Sequence, residues 1–289
     1  RRQKGEFKHM CGRLRDGLVT TEDWRTVNAT CSTDLMSEER KQLFNSNLAT
    51  WIFYRNSPCH AHNVTMLRRM QSPVLRVDAE HDCRTSRKRS ATNTEKLETS
   101  IYLCIGAKVQ LLQNAAQPWG LANGVTGTIK GFQYDSNRTD NCHTTMPNYI
   151  IVEFASYTGP AFYTDPTMSK YVALCPSICN WTDIKGDDHF RKQFPISLAW
   201  GITVWKSQGS TFSGPIRLEL TNKELACGGT YVCWSRATDI NNVCVGPSIP
   251  LDRLTTAISN SDVLQRRLIE DKRLKELNVL CKQFYFPPF

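Results

Sequence analysis

Six consecutive residues, Lys206-Ser207-Gln208-Gly209-Ser210-Thr211, bring an ammonium, hydroxyls, a side-chain amide and a flexible backbone directly behind the mostly apolar run Leu198, Ala199, Trp200, Ile202 and Val204. That set of groups suits phosphate oxygens. A plain surface turn after a buried element has the same composition, so the loop by itself decides nothing. Further along, Gly228-Gly229-Thr230-Tyr231-Val232-Cys233-Trp234-Ser235-Arg236-Ala237 is a second apolar run, ending in Ser-Arg.

The pair resembles motifs five and six of superfamily-one DNA helicases, particularly the Pif-type and RecD-like branch. Motif five there reads roughly apolar-Thr-apolar-His-Lys-Ser-Gln-Gly, and Thr203, Lys206, Ser207, Gln208 and Gly209 match it, with Trp205 where the family usually has His. Motif six reads Thr-Tyr-Val-x-x-Ser-Arg, matched by Thr230, Tyr231, Val232, Ser235 and Arg236. Arg2-Gln3 resembles the end of motif four, and His62-Asn63 falls where the family has a strand followed by a helix bearing Asn. The stretch Gly106 to Asn114, followed by Gly120 to Ile129, resembles the entrance of a small SH3-like barrel inserted in the second RecA-like domain.

The resemblance implies an α/β fold, a RecA-like parallel-sheet domain with an inserted SH3-like β-barrel. Residues 1–103 and 193–289 would be two segments of the second helicase domain, and 104–192 the insert. The implied function is the C-terminal motor half of an ATP-dependent DNA helicase that translocates on single-stranded DNA and unwinds duplex. Arg236 would be the arginine finger and Arg2 the γ-phosphate sensor. Gln208, Gly209 and Ser235 would face the nucleotide, and Thr203, Lys206, Ser207, Asn63 and Asn114 the DNA. No G-x-x-x-x-G-K-[ST] and no apolar strand ending in Asp-Glu occurs in these residues, so ATP and Mg2+ are expected to be bound mainly by an N-terminal RecA-like domain of the same helicase. The implied partners are single-stranded DNA and that domain, and this chain alone is expected not to hydrolyse ATP. The alternative is a non-catalytic nucleic-acid-binding relic of a mobile-element helicase.

Composition is compatible with this. The 289 residues carry a net charge of +9, which favours polyanionic partners without excluding a solvated basic surface. No apolar run approaches the roughly 20 residues of a membrane helix, and RRQKGEFKHM has no signal-peptide core. A nuclear or otherwise intracellular, reducing location is expected, with the twelve cysteines as thiols. Neither the Cys175/Cys179 pair nor His60/His62 has the further ligands a metal site needs, so no metal is expected.

The remaining segments must position the two motifs. Phe7, Met10, Cys11 and Leu14 predict a helix over 5–16 stopped at Gly17, while Thr20 and Ser37 read as helix starts. Thr50 to Tyr54, Val74 to Ala79, Tyr149 to Phe154, Lys170 to Leu174, Pro215 to Leu220 and Asn242 to Val245 read as strands. Asp82 to Thr94, with Arg84, Arg87, Lys88 and Arg89, reads as a mobile loop. Phe132, Tyr134, Phe162 and Tyr163 are expected mostly in the barrel core. Ser261, then Leu264, Leu268, Leu274 and Leu277, predict a capped, closing amphipathic helix.

Overall fold

A computed structural model describes residues 5–134, 146–221, 227–246, 248–255 and 261–285, with side chains excepted at Thr85 and beyond Val279. In chain order the elements are α1 (Gly5–Asp16), α2 (Thr21–Cys31), α3 (Glu38–Asn45), β1 (Thr50–Phe53), α4 (Asn56–Arg69), β2 (Leu75–Asp78), β3 (Glu80–His81), α5 (Arg84–Arg87), β4 (Ser100–Leu103), β5 (Lys108–Leu111), β6 (Thr126–Gln133) and β7 (Tyr149–Glu153). They continue with β8 (Tyr171–Leu174), β9 (Ser177–Thr182), β10 (Asp188–Gln193), β11 (Ile196–Leu198), β12 (Gly201–Thr203), α6 (Val204–Ser207), β13 (Ile216–Glu219), α7 (Gly229–Trp234), β14 (Val243–Val245), α8 (Leu251–Leu254) and α9 (Asp262–Tyr285). The chain divides into two compact units, residues 1–56 with 202–289, and residues 57–201.

The first unit is α/β. A four-stranded sheet runs in the order β12-β1-β13-β14, and β1, β13 and β14 are parallel, with Thr50 opposite Ile216 and Ile216 opposite Val243. Short strands of Ile, Val, Leu and Phe that alternate with helices favour this arrangement. The predicted helix forms as α1, burying Phe7, Met10, Cys11 and Leu14, and Gly17 follows at φ 72°. Thr20 opens α2 through a capping box: its side chain accepts from Asp23 N at 3.1 Å, and Asp23 accepts from Thr20 N at 3.0 Å. Asp23 also takes two hydrogen bonds from Arg13, at 2.8 and 2.5 Å, tying α1 to α2. Ser261 caps α9, accepting from Leu264 N. Leu264 is buried, but Leu274 and Leu277 are 50% and 41% exposed. The closing helix therefore buries only the beginning of its expected apolar stripe.

The second unit is mainly antiparallel. Its five-stranded sheet has the order β11-β5-β6-β7-β8. One apolar core joins Val109, Leu111, Ile129, Ile150, Val152 and Phe154 from this sheet to Met66 and Leu67 of α4 and to Val77, Ile101 and Leu103 of the β2–β4 pair. That shared core is why the compact unit extends wider than the 104–192 segment read from the sequence. Phe132 packs against it, whereas Phe162 is 54% exposed, so the aromatics expected in the core do not all serve the interior.

The expectation of a mobile loop over Asp82 to Thr94 is corrected. This segment forms α5 and a 3-10 turn at Ala91–Asn93, and both wrap the guanidinium of Arg191 on β10, which is fully buried. Arg191 donates to the carbonyl oxygens of Ser86, Leu97 and Arg89 at 3.1, 2.8 and 2.7 Å and to Thr94 Oγ1 at 2.8 Å. Burial pushes its pKa below the ordinary arginine value. A cation that satisfies several backbone carbonyls at once orders a polar stretch that has few apolar residues of its own.

Candidate functional site

The polar motif begins where β12 ends. Thr203 is extended, and its hydroxyl accepts from Lys206 N at 3.4 Å, so it caps the single turn of α6. Ser207 is fully buried, with its Oγ donating to Val204 O at 2.7 Å. Both hydroxyls thus shape the turn from inside. The side chains this leaves at the surface are Trp205, 53% exposed, Lys206 and Gln208, followed by Gly209 at φ 83°. That left-handed conformation explains the glycine. An ammonium, an amide and a bare stretch of backbone are thus exposed on one turn.

The second motif is brought to this turn by backbone pairing. Phe212 N donates to Arg236 O at 2.8 Å, and Thr238 N to Phe212 O at 3.3 Å. Arg236, half-buried just past α7, completes the junction with its side chain. Its guanidinium donates to Ser207 O at 3.4 Å, Ser210 O at 3.1 Å, Val232 O at 2.9 Å and Ser235 Oγ at 2.7 Å. The two segments singled out in the sequence therefore form one structural site, with Gln208, Gly209, Ser235 and Arg236 together.

What seats α7 was not legible beforehand. Thr230 Oγ1 lies 3.2 Å from Tyr54 Oη and accepts from the buried Arg253 at 2.9 Å. A Cβ on Gly229 would sit 2.8 Å from the Tyr54 ring, so only glycine permits this approach. Tyr54 ended a β-prone run, which hinted at its place, but no local signal marked Arg253. Asp239, three residues past Arg236, caps the 3-10 turn at Ile240–Asn242 by accepting from Asn241 N at 2.8 Å.

The other expected site residues lie elsewhere. Asn63 belongs to the second unit and is buried. Its amide donates to Gly201 O at 2.8 Å and accepts from Gly201 N at 2.7 Å, a two-point clamp on the backbone just ahead of the motif. Asn114, exposed in the same unit, accepts from Asn123 N at 2.8 Å and closes a turn. Arg2 lies outside the described residues. Among the described residues, the group of carboxylate, thiol and imidazole atoms close enough to hold a metal is Asp82, Cys83 and His189, away from the Arg236 turn in sequence and in the other unit. No described helix is long and apolar enough to cross a membrane.

No family model matches the chain. Curated relatives do: it is 28% identical over 166 residues to the ATP-dependent DNA helicase PIF7 of Trypanosoma brucei brucei, covering 52% of this chain and 16% of that protein. It is 29% identical over 147 residues to the mouse ATP-dependent DNA helicase PIF1, covering 50% of this chain and 19% of that one. The chain thus spans less than a fifth of the length of these relatives. Among solved structures, Candida albicans Pif1 helicase superposes with a TM-score of 0.65 at 21% identity over 94% of this chain and 59% of the other. Bacteroides Pif1 bound to single-stranded DNA superposes with a TM-score of 0.64 at 19% identity, over 96% and 55%. The α/β architecture of the first unit is accordingly the RecA-like fold of those helicases. By sequence over about half of its length and by fold over nearly all of it, this chain is a homologue of the Pif1-type helicases.

Proposed function

We propose that this chain is the C-terminal motor half of an ATP-dependent DNA helicase that moves on single-stranded DNA and unwinds duplex. The observation that carries the reading is the Arg236 guanidinium seated on the carbonyls of Ser207 and Ser210, which joins the two motifs into one site. The groups at this turn are donors and cations, which fit phosphate oxygens. Mg2+ fits a different surface, since no cluster of metal-ligating side chains among the described residues lies at this turn. ATP and Mg2+ would therefore be held mainly by an N-terminal RecA-like domain, with Gln208, Gly209 and Ser235 lining the near side of the nucleotide.

ATP brings the transferable γ-phosphoryl group, with Mg2+ to neutralise charge on it. Arg236, as the arginine finger, stabilises charge that grows in the transition state, an effect worth about 10³ to 10⁵ in rate in other NTPases. Arg2 senses the γ-phosphate. Lys206 contacts DNA phosphate, and Thr203 and Ser207 hold the turn that presents it. Asn63 acts on the backbone of Gly201, and Asn114 lies on the barrel unit as a further DNA contact. We assign 104–192 as the SH3-like insert, with 1–103 and 193–289 as the flanking helicase segments. The antiparallel order β11-β5-β6-β7-β8 supports that assignment.

Binding of a labelled single-stranded oligonucleotide by this chain tests the DNA part. Affinity should fall steeply with salt, and Lys206→Ala should lower the salt slope by about 1. Salt-independent binding would contradict it.

A further inference from the structure

The second unit holds a cluster that the helicase reading does not use. Asp82 and Cys83 follow β3 and His189 lies on β10, and the ligand atoms of the three lie within 4.8 Å of one another. His189 Nδ1 is 2.7 Å from Asp82 Oδ2 and 3.7 Å from Cys83 Sγ. The imidazole can donate to the carboxylate while the thiol keeps a proton of its own, and loss of both protons would leave nitrogen, oxygen and sulfur lone pairs together. A divalent cation takes such a set. Zinc bonds to nitrogen and oxygen at about 2.0 to 2.2 Å and to sulfur at about 2.3 Å, so tetrahedral ligand atoms lie roughly 3.3 to 3.6 Å apart. The separations from Nδ1 bracket that range, and small side-chain shifts would meet it.

The surroundings are built as metal sites are. His189 Nε2 faces Asp183 Oδ2 at 3.5 Å, a carboxylate placed to hold the proton on Nε2 and leave the Nδ1 lone pair for a metal. Asp183 is itself fixed by the hairpin turn between β9 and β10, its Oδ1 accepting from Lys185 N at 2.8 Å and Asp187 N at 3.0 Å. The remaining oxygen of Asp82 accepts from Phe190 N at 3.1 Å. Ser86 Oγ donates to Cys83 O at 2.8 Å, holding the turn that carries the thiol, and the same segment is anchored on Arg191 through Ser86 O.

We propose that Asp82, Cys83 and His189 form a zinc site that clasps the Asp82–Thr94 segment to the β9–β10 hairpin, with water as the fourth ligand. On binding, the Cys83 thiol gives its proton to solvent, as does Nδ1 where it is protonated, and Asp183 positions the imidazole.

The test is metal titration of the full chain after chelator stripping, using Co2+ and Zn2+. Co2+ should bind with one saturating equivalent and give a thiolate-to-cobalt charge-transfer band, and Zn2+ should displace it. Cys83→Ser should lose the band and His189→Ala should lose binding. Asp183→Asn, a surface change that keeps all three ligands, should keep the band while weakening binding by about 10- to 100-fold. A Cys175→Ser/Cys227→Ser variant should behave as the unaltered chain. Absence of saturable binding at micromolar Zn2+, a band that survives Cys83→Ser in a chain with unchanged circular dichroism, or unchanged affinity in Asp183→Asn would each overturn the proposal.

Discussion

The turn around Arg236 and the segment around Arg191 are both organised by a guanidinium on backbone carbonyls, and they differ in what surrounds it. Arg191 is fully buried and gathers carbonyls from Ser86 to Leu97 inside one unit. Arg236 is half-exposed beside Gln208 and Lys206, with carbonyls on one side and the surface on the other. A buried cation whose two terminal nitrogens both donate to the surrounding chain is a structural pin. One that reaches the surface keeps a phosphate within its possible reach. On the function proposed above, the same chemistry serves stability in one place and phosphate contact in the other, and solvent access separates the two.

Substitutions should break this comparison in a definite order. Arg191→Met leaves several buried carbonyls without a donor, and each orphaned group is costly. Urea unfolding should register a loss of about 3 kcal/mol or more, and amide exchange should accelerate first between Asp82 and Leu97. A loss confined to tenths of a kcal/mol would remove Arg191 as the pin.

Gly229→Ala forces a Cβ to 2.8 Å from the Tyr54 ring and should cost about 1 to 3 kcal/mol, read as a lower midpoint in the same titration. An unchanged midpoint would mean that α7 is not seated on Tyr54 as described.

Asp23 extends the comparison to pH. Arg13 above all, and then the Thr20 backbone, hold its carboxyl below the usual range. Its contribution is therefore complete above the unfolded value of about 3.9 and is lost as pH falls through the depressed folded value. Asp23→Asn should cost about 1 to 2 kcal/mol at neutral pH and flatten the acid limb of the stability profile below about pH 4.

Lys108 has the opposite sign and the smallest effect. Burial pushes its pKa down to about 8, while the unfolded chain holds that proton to about 10.4. Stability should rise as pH goes from about 8 to 10.4, and Lys108→Met should abolish the rise and gain on the order of 1 kcal/mol at pH 7. A Met variant that is less stable at pH 7 would contradict the burial cost.

Local signals carried much of this molecule. The apolar spacing of α1, the Thr20 and Ser37 starts, the strands at Thr50, Ile216 and Val243, and both polar motifs were readable because each depends on residues within a turn or a strand of one another. What escaped depends on distant pairs. Arg191 and the carbonyls of 86–97 are about a hundred residues apart, so the segment between Asp82 and Thr94 looked merely polar. Arg253 on Thr230 and Asn63 on Gly201 escaped for the same reason. Ser207 and Thr203 were readable as a polar pair, but not as hydroxyls turned inward, since their direction follows from the cap geometry of α6.

Turnover of a complete helicase, made by joining this chain to a matching N-terminal domain, tests the central claim most directly. Arg236→Ala should lower DNA-stimulated ATP hydrolysis by about 10³-fold or more, because the guanidinium acts on charge that exists only in the transition state. Affinity for single-stranded DNA without ATP should be nearly unchanged, and the melting temperature should fall only slightly. Arg236→Lys should fail almost as badly, since a point charge does not reproduce the planar fork. An Arg236→Ala protein that melts early yet keeps its turnover per folded molecule would show that this arginine, like Arg191, serves the fold alone.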